Sequence, residues 1–194
     1  MRRRRLGSAA ALASGGLWLG AAAPAAGQTL ILDPARSTVG FALGATLHSV
    51  AGGLRLLEGA IRFDPDGGAA SGEIALDAAS ASTGLALRDR TLHREVLESE
   101  RHPRIVFRAE RLRVLRRDAT SAEVELEGRL DLHGQERPLV IPARLAASGG
   151  RIAIEARFRV AYVDWGMRDP STFLLRVDRF VDVTVHSEGR VDPP

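Results

Sequence analysis

Between Val124 and Leu132 apolar and charged residues alternate without a break. Val124, Leu126, Gly128, Leu130 and Leu132 form one face, and Glu125, Glu127, Arg129 and Asp131 form the other. A period of two is the mark of a half-buried strand. Ile152, Ile154, Ala156, Phe158 and Val160 repeat it against Arg151, Glu155, Arg157 and Arg159. Val39, Phe41, Leu43, Ala45 and Leu47 repeat it with small residues opposite. Shorter runs predict five more strands: Leu57, Gly59, Ile61 and Phe63; Ile74, Leu76 and Ala78; Ile105, Phe107 and Ala109; Leu139, Ile141, Ala143 and Leu145; Val181, Val183 and Val185. Turn residues separate them, as in Asp64-Pro65-Asp66-Gly67-Gly68, Gly134 to Pro138 and Ser148-Gly149-Gly150. One stretch, Leu85 to Ser99, breaks the alternation. Its Leu92, Val96 and Leu97 fall on one helical face, and Pro103 bars continuation, so a short helix is expected there. Tyr162 to Thr172, with Trp165-Gly166 and Asp169-Pro170, reads as a long loop.

The pattern predicts an all-β domain, an eight-stranded antiparallel barrel with one short helix between strands. Closure removes the exposed edges that so many alternating strands would otherwise present. The apolar phase then supplies the inner wall: Phe41, Leu43, Ile61, Phe63, Leu76, Ile105, Phe107, Leu126, Leu130, Ile141, Ile154, Phe158 and Val183, with Trp165 of the long loop added. Gly59, Ala78, Ala109, Gly128, Ala143 and Ala156 share that phase. Small inward residues either leave a cavity or let large neighbours interdigitate into a dry core.

The first residues have a different character. Arg2 to Arg5 precede an Ala/Leu/Gly-rich run from Leu6 to Ala23, then Pro24, Ala25, Ala26 and Gly27. That order predicts a cleaved secretory signal over residues 1–27, a barrel domain over 28–190 and a short tail over 191–194. Cleavage after Gly27 or after Ala25 both fit. A retained anchor is the competing reading, but the run is short and rich in Gly and Ala. The expected location is periplasmic or secreted, by a Sec-type signal or the twin-arginine route, with no membrane span left after cleavage. Charge must be counted on the mature chain. All 27 basic residues are arginine and four would leave with the signal, so 23 arginines face 24 acids. Nothing in that balance points to nucleic acid, and Arg111, Arg113, Arg116 and Arg117 read as a solvated strand face and turn. With no cysteine there is no disulfide, thiolate site or lipid-anchoring cysteine.

Several stretches together resemble the YceI-like family of lipid- and polyisoprenoid-binding periplasmic proteins. They are Leu32-Asp33-Pro34 with Ser37, Val39 and Phe41; His48, Val50 and Gly52; Ala79-Ser80 through Thr83-Gly84, Arg88-Asp89 and Leu92; Leu97, Pro103, Ile105 and Phe107; Gly128 to Gly134 with Arg137-Pro138; and Phe158, Asp164-Trp165-Gly166 and Val181-Asp182-Val183. The resemblance spans roughly Leu30 to Gly189. It implies a lipocalin-like barrel with an elongated pocket for a long-chain isoprenoid, quinone or fatty-chain ligand. Two departures fall near the expected pocket mouth: a shorter stretch after His48, and Val96-Leu97 where the family often has an aromatic pair.

Catalytic patterns are mostly absent. Gly68-Ala69-Ala70-Ser71-Gly72 has the wrong spacing for a nucleophile elbow, and there is no zinc-protease, phosphate-loop or dinucleotide motif. The expectation is a carrier, not an enzyme, with no cofactor and no metal. Candidate mouth or head-group residues are His48, Arg88, Asp89 and His93. Arg88 either fixes the helix to the barrel or meets a head group. The alternative is a metal-assisted enzyme or redox accessory using His48, His93 and Asp89. His133 and His186 are expected to be solvated on polar strand faces. The oligomeric state is left open, a homodimer included.

Overall fold

The computed structural model describes residues 27–45, 49–171 and 176–192. The expected signal, apart from Gly27, lies outside them, as do Leu47 and His48. The eight strands are β1 (Gln28–Ala45), β2 (Val50–Phe63), β3 (Gly68–Ser82), β4 (Arg104–Arg117), β5 (Ser121–Leu132), β6 (Gln135–Ser148), β7 (Arg151–Val160) and β8 (Val177–Asp192). Each pairs antiparallel with its chain neighbours, and β1 pairs with β8, so the sheet closes into a barrel in sequence order. Phe41 lies opposite Val183 and Leu30 opposite Val191 across the closure. β8 thus continues through Val191 and Asp192, into the segment expected to be a tail.

The expected helix is present but divided. α1 (Ala86–Thr91) passes directly into a π-helical turn over Leu92–Val96. The expected loop after β7 contains a 3-10 turn, Tyr162–Trp165, ended by Gly166 at φ 74°.

Alternation sets the strands, and bulges reset their phase. In β2 the register shifts between Leu56 and Glu58. Leu57 therefore turns outward and is 42% exposed, while Leu56 turns in. The inward placement expected for Leu57 is corrected by that extra residue. β5 and β6 pair without a shift from Ser121–Ala146 to Leu132–Gln135. Only His133 and Gly134 separate them, at φ 54° and 72°. Two central residues at positive φ are what a right-twisted hairpin with a two-residue turn requires.

Arginine and acidic residues interlock on the outside. Arg113 on β4 reaches Glu125 on β5 at 2.8 Å, and Arg159 reaches Asp182 at 2.7 Å. Arg108 contacts Glu73 at 3.0 Å and Glu136 at 3.1 Å. Exposed pairs add little stability singly, but they make this outer face one that water solvates. Among the described residues no helix is long and apolar enough to cross a membrane.

Candidate ligand cavity

Among the described residues the barrel lumen holds two cavities, of about 170 Å³ and about 360 Å³, lined almost wholly by apolar side chains. Val39, Leu76, Ile105, Leu130, Phe158 and Val183 belong to both walls. The cavities therefore meet at one belt of side chains drawn from six strands. Their combined size lies within the range of about 300–1,000 Å³ usual for small-molecule sites.

All the expected wall residues on strands line one cavity or the other. Trp165 does not. It is buried beside the lumen, and its indole Nε1 donates to the Leu130 carbonyl at 3.0 Å, which ties the loop to β5. The small inward residues divide into two groups. Ala143 and Ala156 line the narrower cavity. Gly128 instead accommodates its neighbours: a Cβ there would lie 2.1 Å from the Arg108 carbonyl oxygen and 2.7 Å from Phe107 Cζ. A Cβ at Gly59 would lie 2.6 Å from Leu32 Cδ1. At those glycines interdigitation, not open space, explains the small residue.

Each cavity has a small polar feature. In the narrower one Ser37 and Ser187, opposite each other on β1 and β8, share a 2.6 Å hydrogen bond, and Ser37 Oγ donates to the Asp33 carbonyl at 2.7 Å. The polar atoms satisfy one another, so a ligand chain can pass them without leaving a donor unpaired. The wider cavity is covered by the β3–β4 connection. Leu92, Val96 and Leu97 face it from there, and Tyr162, Met167 and Pro170 from the loop after β7. The aliphatic pair Val96-Leu97 is thus part of the cover.

Arg88 also lines the wider cavity, but its polar atoms are engaged locally. Nε donates to Thr83 Oγ1 at 2.7 Å and Nη2 to the Thr83 carbonyl at 2.9 Å. Thr83 in turn donates its hydroxyl and its backbone N–H to Asp89, and Ser82 donates its hydroxyl to the same carboxylate. The Thr83 hydroxyl and then its N–H hold the Asp89 carboxyl below the usual carboxylate range. This closed circuit fastens α1 to the end of β3.

The remaining candidates are histidines, and of these His93 lies close enough to lower the Asp89 carboxyl further by its charge. His93 Nδ1 is bonded to Ser99 Oγ at 2.9 Å, and His93 lines neither cavity. His48 lies outside the described residues. His186 is exposed on β8, as expected, 3.9 Å from Glu155. His133 is not: its side chain is 14% exposed in the β5–β6 turn. Alternation continues the strand phase one residue too far, into a turn that points His133 back toward the protein.

A closed antiparallel barrel with an apolar lumen, covered at one end by a short helical connection, defines the class of small cavity-bearing β-barrels. Within that class the chain belongs to the YceI-like family: the YceI-like domain matches residues 31–189. Among solved structures, Burkholderia cenocepacia BcnA superposes with a TM-score of 0.65 at 15% identity, covering 81% of this chain and 98% of that one. A polyisoprenoid-binding domain from Saccharophagus degradans, implicated in plant cell wall breakdown, gives 0.63 at 16% identity, with coverages of 84% and 98%. The Campylobacter jejuni YceI protein gives 0.55 at 15%, with coverages of 68% and 79%. At these identities the likeness is one of fold. Comparison with curated proteins gives no match.

Proposed function

We propose that the protein is a non-enzymatic carrier. It holds a long-chain isoprenoid or a similar amphipathic lipid in the barrel, in the periplasm or outside the cell. The observation that carries this reading is the lumen itself: two apolar cavities sharing one belt, with Ser37 and Ser187 of the narrower one bonded to each other and Arg88 of the wider one bonded to Thr83. Burying a methylene there is worth about 0.8 kcal/mol, so chain length alone supplies affinity. The description of the Saccharophagus degradans relative as polyisoprenoid-binding supports the same ligand class. The wall has no feature that distinguishes a quinone tail from a prenyl or fatty chain, so recognition rests on length and shape.

The test is titration of the mature protein with a prenyl alcohol and, separately, with a short alcohol bearing the same head group. Saturable one-to-one binding that strengthens with each added isoprene unit supports the proposal. Equal affinity for the short and long alcohols contradicts it.

A further inference from the structure

We propose that Glu98, His102 and His133 form a binding site for a divalent transition-metal ion, zinc in the first instance. This site is separate from the lipid cavity, since none of the three lines either cavity wall. It does not depend on the ligand proposed above.

Glu98 and His102 come from the tight turn that follows the π-helical segment. The backbone N–H groups of Arg101 and His102 both donate to the Glu98 carbonyl, at 2.8 and 2.9 Å. That turn brings two side chains four residues apart to one side. His133 arrives from the β5–β6 turn. One ligand atom from each of the three lies within 4.8 Å of the others. The imidazole rings are 4.6 Å apart, centre to centre, and tilted by 49°.

Three features set this cluster apart from a chance meeting of polar groups. The first is His133 Nε2, which is buried and has no hydrogen-bond partner. Glu98 Oε1 is 3.5 Å away, beyond the usual hydrogen-bond range. A buried ring nitrogen without a partner is costly, and a cation between it and the carboxylate would satisfy both. The second is the backbone. Among the described residues, Glu98 and His133 are the non-glycine residues with positive φ, 44° and 54°. Glycine or asparagine would occupy such positions more easily. The third is Gly134, where a Cβ would lie 2.8 Å from the His102 ring. Its missing side chain is the space in which that ring sits.

The donors choose the metal. Two imidazoles and one carboxylate suit zinc and its transition-metal neighbours, whereas calcium and magnesium prefer oxygen alone. Arg101 Nη1 donates to Glu98 Oε2 at 2.5 Å, which orients the carboxylate and leaves Oε1 turned toward His133. Its positive charge also opposes the metal, so affinity should be moderate. A bound ion would cross-link the β3–β4 connection, which carries Leu92, Val96 and Leu97 over the wider cavity, to the β5–β6 turn. The inferred role is structural: the metal pins the cover of the cavity.

The experiment is calorimetric titration of untagged, chelator-treated full-length protein with Zn²⁺, with Co²⁺ absorption as a report on coordination. One equivalent of Zn²⁺ should bind, and Co²⁺ should give the intense visible bands of a four- or five-coordinate ion. His102→Ala and Glu98→Gln should each weaken Zn²⁺ binding by about 100-fold or more, the upper end of what even outer-shell changes cost. His186→Ala should bind as the wild type does. His133→Ala removes a largely buried ring, so circular dichroism must accompany it, and the two milder variants decide the outcome. Absence of a saturable one-equivalent site overturns the proposal. So does Zn²⁺ binding that is unchanged in both His102→Ala and Glu98→Gln.

Discussion

Thr83 shows what a single residue contributes at the rim of the cavity. It accepts two hydrogen bonds from Arg88 and donates two to Asp89, so one short side chain joins both members of an adjacent charged pair. Arg88→Ala would leave the Thr83 carbonyl and hydroxyl short of donors, at a cost of about 1–3 kcal/mol. We expect a lower melting temperature, with prenyl alcohol and prenyl phosphate affinities falling together. Unchanged melting with selective loss of the phosphate ligand would assign Arg88 to a head group instead. Tyr162, the single tyrosine, is a second residue-scale test. Its hydroxyl donates to the Asp178 carbonyl at 3.0 Å. Burial, aided by the negative charge of Asp169, pushes its pKa up to about 12. The raised value means that its contribution to stability is complete below pH 10 and is lost as pH rises from 10 through 12. Tyrosinate absorbance should show a midpoint near 12 in the folded protein and near 10 in denaturant. A midpoint near 10 in the folded state would show that the ring is solvated. Residues such as Thr83, Trp165 and His133 were the least legible in the sequence. Their roles depend on backbone carbonyls, turn dihedrals and partners as far away in the chain as Leu130 is from Trp165, none of which alternation encodes.

Among the elements, β5 is the most readable, because its two faces differ completely and no bulge interrupts its pairing with β6. Leu126 lines the narrower cavity, while Glu125 pairs outside with Arg113. Leu126→Arg places a charge in an apolar lumen, costs several kcal/mol, and should abolish lipid uptake or folding. Glu125→Arg loses one solvated ion pair and places a second arginine opposite Arg113, and should cost about 1–2 kcal/mol. Thermal melting of the two variants checks the strand phase, and equal effects would show it to be wrong. β2 was harder to read. A bulge after Leu56 leaves its apolar residues in two phases, and a single extra residue has no signature in hydropathy. The crossover helix was legible from the Leu92, Val96 and Leu97 spacing, but its change from α to π winding was not.

At the scale of the whole molecule, eight alternating strands made the barrel legible, and the order of short motifs made the family legible. Whether the lumen was filled or open was not, because small inward residues serve both outcomes. Gly59 and Gly128 admit neighbouring side chains, whereas Ala143 and Ala156 border free space. The belt shared by the two cavities also makes a prediction. Phe158→Ala would remove its one aromatic ring, at a cost of about 3 kcal/mol, and join the cavities more widely. The variant should therefore favour bulkier or longer chains relative to wild type in competition binding. An unchanged order of preference would mean that Phe158 does not limit the lumen.

A lipid carried in this lumen is the central expectation. Mass spectrometry of the organic extract of protein purified from its own host tests it most directly, with Leu126→Arg purified in parallel. Close to one long-chain apolar molecule per wild-type barrel is expected, and none in a folded Leu126→Arg variant. A wild-type barrel that yields no lipid, or a folded variant that yields the same lipid in the same amount, would contradict it.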